Sequence, residues 1–327
     1  MRVGIIGAGG IAEKMAKTIR GLKDVENYAI ASRSIEKAEA FKEKWNVTKA
    51  YGSYEEMLSD DKVDLVYVAV PHSHHYACTM EALSAGRNVL CEKAFSVNAE
   101  QAVKMTETAT QKGLLLAEAI WTRYMPSRKI ITDIIDSGEI GDVTNVDSNL
   151  GYPIYMNDRM TNPALAGGCL LDLTVYTLNF SSMILGDAQK SVNASMIPTD
   201  TGVDGMDSVM IEYENGAMAT MFTTMYALTD RRGLITGEDG YIVVENINNP
   251  QKITVYEPDR DVPRIRKEIV VPEQITGYEY EVLACRDAIE AKKTECDAMP
   301  HSETIEIMKQ MDAIRNQWGI SFPCENE

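Results

Sequence analysis

At 327 residues the chain exceeds one ordinary core and suits two domains. Its formal charge of -17, with 49 acidic against 32 basic side chains and no dense basic run, repels phosphate backbones and anionic lipid heads and argues against nucleic-acid and membrane partners. Six scattered cysteines without a C-x-x-C pair signal neither a disulfide framework nor a zinc site, and with no stretch that reads as a signal peptide or spanning helix, a cytoplasmic protein is expected.

In chain order, short apolar runs at Val3–Ile6, Tyr28–Ala31, Leu65–Val70, Asn88–Cys91 and Leu114–Ala117 predict strands. Amphipathic stretches at Ile11–Gly21, Ser34–Trp45, His75–Gly86 and Asn98–Gly113 predict the helices between them, several closed by glycine. This alternation is that of a doubly wound parallel sheet, and it assigns residues 1–121 to a Rossmann domain. After Trp121 longer alternating runs follow one another through turns. Ser208–Glu214 and Ala217–Leu228 flank Asn215-Gly216, a hairpin signal. Lys252–Glu257 and Arg266–Val271 read as further strands, Tyr278–Lys292 and His301–Trp318 as helices. Residues 122–327 are therefore expected to form an α+β domain on an open, mainly antiparallel sheet, serving substrate binding and dimerisation. In Ala217–Leu228 both faces are apolar, with Ala219 and Met221 on one and Met218 and Phe222 on the other, so a homodimer is expected to cover the second. Met218, Met221 and Met225 read as ordinary packing.

The first strand runs into Gly7-Ala8-Gly9-Gly10-Ile11-Ala12, a G-x-G-x-x-A fingerprint between a strand and a helix. Gly7 permits the tight turn, Gly9 and Gly10 let backbone approach a pyrophosphate with Ile11 opening the helix, and Ala12 allows close helix-to-strand packing. About 20 residues on, where an NAD enzyme offers an acid to the ribose, stand Ser32 and Arg33. A guanidinium fork suits the 2'-phosphate of NADP, which is the expected cofactor, with NAD as the alternative.

Further along, Cys91-Glu92-Lys93-Ala94 closes a strand whose carboxyl end faces the ligand crevice of such sheets. In Ala166-Gly167-Gly168-Cys169-Leu170-Leu171-Asp172-Leu173-Thr174-Val175-Tyr176, a helix is predicted to put Asp172 and Tyr176 on one face. His72, His74 and His75 lack the further ligands and spacing of a zinc site, so no metal is expected.

With the fingerprint, Pro71-His72-Ser73-His74-His75, Ala85-Gly86 through Glu92-Lys93, and the Gly-Gly helix bearing Asp172, the sequence resembles the glucose-fructose oxidoreductase and inositol dehydrogenase family of NAD(P)-dependent oxidoreductases. Glu118-Ala119-Ile120-Trp121-Thr122-Arg123, Asn162-Pro163-Ala164-Leu165 and Tyr176 are most similar to its dihydrodiol dehydrogenase branch. The resemblance implies catalysis by Lys93, Asp172 and Tyr176, and a C-terminal sheet that mediates dimerisation. It also implies cofactor contacts from Pro71, His72, His75, Glu92, Lys93, Trp121 and Arg123. The chain departs from the family pattern at Ala94, where proline is usual, at His72, where asparagine is usual, and at Cys169, where a further glycine is usual.

The implied reaction moves a hydride between NADP(H) and a carbinol or carbonyl carbon of a sugar, polyol or cyclic diol. Tyr176 is the candidate for the accompanying proton, its phenolate stabilised by the Lys93 ammonium, with Asp172 orienting Lys93 or a substrate hydroxyl; Lys93 as proton carrier remains an alternative. Two other readings stay open at this level: a dinucleotide-bound regulatory protein, and an enzyme of transient redox and net hydrolysis.

Overall fold

A computed structural model describes residues 1–259 and 261–326. These form two compact units, Met1–Tyr124 with Gln274–Met308, and Met125–Glu273 with the residues from Lys309 onward.

The first unit is built on β1 (Arg2–Ile6), β2 (Glu26–Ala31), β3 (Lys49–Tyr51), β4 (Leu65–Val68), β5 (Asn88–Glu92) and β6 (Leu116–Ala119). Between them run α1 (Gly10–Arg20), α2 (Ile35–Trp45), α3 (Tyr54–Leu58), α4 (His75–Ser84) and α5 (Ala99–Lys112). Every pairing is parallel, and the order β3-β2-β1-β4-β5-β6 reverses direction between β1 and β4, the place where doubly wound sheets open a crevice for ligands. Burial on both faces explains the unbroken apolar runs: Leu65, Val66, Tyr67 and Val68 are all fully enclosed. Ser34 and Asn98 cap α2 and α5 by accepting the N–H of Lys37 and Gln101. Gly113, at φ 65°, closes α5 in the left-handed region. Gly21, expected to do the same for α1, keeps φ -86°; a Cβ there would come 2.9 Å from Ile275, so this glycine makes room for the returning chain. The segments β3 and α3 went unpredicted because three and five residues are too few to show a period.

The second unit contains α6 (Pro126–Asp136), β7 (Val143–Gly151), α7 (Asp158–Thr161), α8 (Val175–Leu185), β8 (Gln189–Pro198), β9 (Asp204–Tyr213) and β10 (Met218–Thr224). It continues through β11 (Gly233–Gly237), β12 (Gly240–Val244), β13 (Lys252–Glu257) and β14 (Arg264–Val270). They make one open sheet, β14-β13-β12-β11-β7-β10-β9-β8, antiparallel except where β7 and β10 run parallel. The Asn215-Gly216 hairpin joins β9 to β10 as expected, with Gly216 at φ 85° and Tyr213 N–H bonded to the Ala217 carbonyl. β7 escaped sequence reading because Asn145, Asp147 and Asn149 occupy its outward places.

Val146, Leu150, Val209, Ile211, Ala219, Met221 and Ile235 line the inward face of the sheet, against which α8 packs. That helix is buried all round from Val175 to Ser182, as a core helix must be when it is apolar on every side. The stretch Pro163–Leu185 is in fact long and apolar enough to cross a membrane, contrary to the expectation that the chain has none, but most of it is enclosed by the protein. At the edge of the sheet, Gln317 of α10 (His301–Trp318) bonds the free N–H of Ala194 and carbonyl of Val192 on β8, satisfying an otherwise open strand.

The expected division after residue 121 differs from the observed one chiefly in residues 274–308. Their helix α9 (Glu279–Glu290) packs on α1, and Tyr278 stacks on Trp121 with ring centres 4.4 Å apart. Helical periodicity shows that α9 buries a face, but not which sheet receives it.

Candidate active site

In the first unit the carboxyl ends of β1, β2, β4 and β5 bring the glycine turn, Ser32-Arg33, Pro71-His72 and Glu92-Lys93 to one edge of the sheet. Gly7 sits at φ 99° and a Cβ there would lie 2.4 Å from the Ala69 carbonyl oxygen, so the turn demands glycine for internal reasons. Gly9 and Gly10 are different: an added Cβ would meet nothing within 4 Å. Their bareness serves something from outside, at the start of a helix whose N-cap, Gly9, offers no side-chain bond. Free N–H groups, a positive helix end and an open cradle fit a dinucleotide pyrophosphate. Ala12 is wholly buried, as its packing role requires.

At the end of β2, Ser32 is buried and its Oγ accepts from Ser34 N–H, while Arg33 is exposed. The nearby acid Glu36 accepts a hydrogen bond from the Ser34 hydroxyl, the largest cause holding its carboxyl below the usual range. After β4, Pro71 leads into a single turn, His72–His74, with His72 almost buried and its ring edge-on to His75 at 5.6 Å.

Lys93 follows β5, half-buried, and its peptide bond to Ala94 is cis. Glu92 accepts a bond from the Tyr67 hydroxyl and, at 3.2 Å, from the Lys93 backbone N–H.

Three residues expected at the cofactor have other work in this structure. His75 is fully enclosed, with Nδ1 2.7 Å from the Ala94 carbonyl and Nε2 2.8 Å from that of Val70, and so joins the ends of β4 and β5; burial pushes its imidazole down to about 4 against the pull of the two carbonyls. Trp121 is spent on Tyr278, and Gly277 is bare because a Cβ would come 2.4 Å from that indole. Arg123, 1% exposed, pairs with Glu303 and directs Nε to the Met299 sulfur. Trp121 and Arg123 thus close onto the returning 274–308 segment, and His75 onto the chain after β4 and β5. Burial likewise raises Glu118 to about 7, although it accepts from the Thr304 hydroxyl, and raises Glu281 well above the carboxylate range with no donor to either of its oxygens among the described residues.

In the second unit the helix bearing the other candidate residues begins with a wider, π-helical turn, Leu170–Thr174, before α8. Asp172 lies in that turn and Tyr176 in the first turn of α8, 5% and 7% exposed. Gly167 is required because a Cβ would be 2.6 Å from the Met160 carbonyl, and Gly168 sits at φ 125°. Sequence reading missed the partner of Asp172. Arg159, on α7, grips both carboxylate oxygens at 2.9 and 3.3 Å with its guanidinium half exposed. A gap of 13 residues carries no periodic signal that would pair the two.

A Rossmann sheet with an open glycine cradle at its switch point, joined to an open-sheet domain, defines a dinucleotide-binding oxidoreductase. The family model for the oxidoreductase family with NAD-binding Rossmann fold matches residues 1–119, and that for the GFO/IDH/MocA C-terminal domain matches residues 129–243. The chain belongs to the GFO/IDH/MocA family of oxidoreductases. It is 36% identical to a D-xylose 1-dehydrogenase (NADP(+)) of Hypocrea jecorina over 99% of this chain and 93% of that one. It is 31% identical to the trans-1,2-dihydrobenzene-1,2-diol dehydrogenase of Mus musculus over 99% of this chain and 98% of that one. In fold it is similar to a 3-ketoreductase from Actinomadura kijaniata crystallised with NADP and TDP-benzene, with a TM-score of 0.87, 24% identity and 97% of each chain covered.

Proposed function

We propose that this protein is an NADP(H)-dependent dehydrogenase acting on a CH–OH carbon of a sugar, polyol or cyclic diol, with NAD as a poorer cofactor. The observation that carries the cofactor choice is exposed Arg33 directly after β2, where an acid would repel a 2'-phosphate. The substrate class rests on family membership and on full-length relatives named for D-xylose and for a trans-dihydrodiol.

When bound, the nicotinamide supplies the hydride donor or acceptor. The chain's own residues do the rest. The N–H groups opening α1 bind the pyrophosphate, Arg33 the 2'-phosphate, and Pro71 with His72 flank the nicotinamide ribose. Tyr176 exchanges the proton of the reacting oxygen, Lys93 steadies the phenolate, and Asp172, held by Arg159, orients the hydroxyl beside the reacting carbon. Following nicotinamide absorbance while NADP+ is offered with pentoses, hexoses, inositols and trans-diols tests this reading. Net reduction with at least one is expected; tight NADPH binding without net reduction by any would overturn it in favour of a regulatory binder.

The reading includes a cytoplasmic homodimer. Among the described residues Cys78, Cys91, Cys169, Cys285 and Cys296 form no disulfide, in keeping with a reducing compartment. On the outward face of the sheet Met218 and Phe222 are 37% and 39% exposed, beside half-buried Met210 and Leu234. The inward residues Ala219 and Met221 are already covered, so a second copy is the fitting cover for the outward row. Light scattering at about micromolar concentration should give twice the mass of the chain, and replacing both Met218 and Phe222 by aspartate should halve it. A wild-type monomer would contradict this.

A further inference from the structure

The second unit buries two carboxyl groups that the proposed reaction does not use. Asp204 and Asp207 of β9 are each 1% exposed. Asp204 accepts the Leu170 N–H at 2.5 Å and so closes the N-terminal end of the π-helical turn; a Cβ on Gly168 would lie 2.2 Å from its Oδ1, which is why that position is bare. Asp207 accepts from the Thr174 hydroxyl at 2.6 Å, at the opposite end of the same turn, and at 3.5 Å from Thr223 of β10. The second oxygen of Asp207 is buried with no hydrogen-bond donor among the described residues. A neutral carboxyl in the pair supplies one.

Burial pushes both groups above the ordinary carboxylate range. Charge on Asp204 pushes Asp207 further, whereas the backbone N–H bonded to Asp204 favours its ionised form. The other titratable groups facing the pair are the Cys169 thiol, which bonds the Gly205 carbonyl, the Tyr226 phenol against Gly205, and Asp172 in the turn, itself paired with Arg159.

We propose that Asp204 and Asp207 share one proton and act as positioning residues, fastening both ends of the turn that carries Asp172 and leads into Tyr176, so that losing the shared proton loosens that turn. Two adjacent buried carboxylates repel and leave no donor between them. The sign follows from linkage. The folded pair keeps its proton to higher pH than the unfolded chain does, so its contribution to stability is complete below the unfolded carboxylate range and is lost as pH rises through the folded range.

The clamp itself can be tested without a substrate; only its bearing on turnover rests on the proposed function. Hydrogen exchange of the peptide spanning residues 169–176 is measured in the full-length protein at about pH 6 and about pH 9, corrected for intrinsic exchange. Wild-type protection should fall about tenfold or more at the higher pH. In Asp207→Asn the amide donates to Asp204 without titrating, so protection should be nearly level; Asp204→Asn should also be level and serves if the first variant does not fold. Equal wild-type protection at both values, or a folded variant retaining the wild-type fall, would overturn the proposal. With an accepted substrate and saturating cofactor, the alkaline fall in kcat should also be missing from Asp207→Asn. Its persistence alongside level exchange would overturn the link to turnover while leaving the clamp.

Discussion

Tyr176→Phe should lower the rate of hydride transfer about a hundredfold or more while NADPH binding persists, because the ring and its packing remain and only the hydroxyl proposed to exchange the proton is lost. The ring is almost wholly buried at the head of α8, so phenylalanine fills the same space. Lys93→Met should be at least as harmful, and Asp172→Asn less so, since the amide keeps the carboxylate's shape while giving up the charge that Arg159 grips. The double change at Lys93 and Tyr176 should cost little more than the worse single change if the two serve one proton transfer. Single-turnover absorbance with cofactor saturating reads all four. Fully additive losses would mean that Lys93 and Tyr176 act independently, and a near-normal Tyr176→Phe would move the proton to Lys93 or His72.

The second large effect is on the cofactor. Arg33→Ala should weaken NADPH binding by roughly 1.5–3 kcal/mol, the scale of a charge-assisted hydrogen bond, and leave NADH much less affected. Arg33 is exposed, so its removal creates no cavity and does not mix a folding defect into the measurement. Glu36, the acid closest in sequence, is engaged with Ser34, leaving the arginine as the nearest charged side chain after β2. Titration by cofactor fluorescence decides this. Equal losses for both cofactors, or a wild-type preference for NADH, would reverse the assignment.

The dinucleotide half was legible because its signals are local. A strand, a glycine turn and a helix are contiguous in the chain, and the fingerprint shows Gly7, Gly9 and Gly10 together even though Gly7 is required by the distant Ala69 carbonyl and Gly9 and Gly10 are open. The hairpin at Asn215-Gly216 was legible for the same reason. What stayed hidden depends on contacts between distant segments. Arg159 meets Asp172 across 13 residues, Asp204 meets Leu170 across 34, and Thr174 meets Asp207 across 33. Neighbours three or four residues apart on one helix face can be read from periodicity, but these pairings cannot.

His75, Trp121 and Arg123 teach a related point. They belong to the motifs that carry the family resemblance, and each also braces the fold: His75 joins the ends of β4 and β5, while Trp121 and Arg123 meet the returning 274–308 segment. The wide turn at Leu170–Thr174 was equally unreadable, because an ordinary helix and a π-helical turn share the same apolar pattern and differ only in which carbonyl each N–H reaches.

Net hydride transfer from a carbinol carbon to the nicotinamide is the step on which the proposed function rests. It is tested most directly with a substrate accepted in the absorbance assay, deuterated at the reacting carbon and incubated with NADP+ and the full-length protein. Mass spectrometry should find one deuterium in each NADPH formed, with NADPH and oxidised product appearing in equal amounts. Product formed without net NADPH would contradict the claim and identify transient oxidation with the hydride returned.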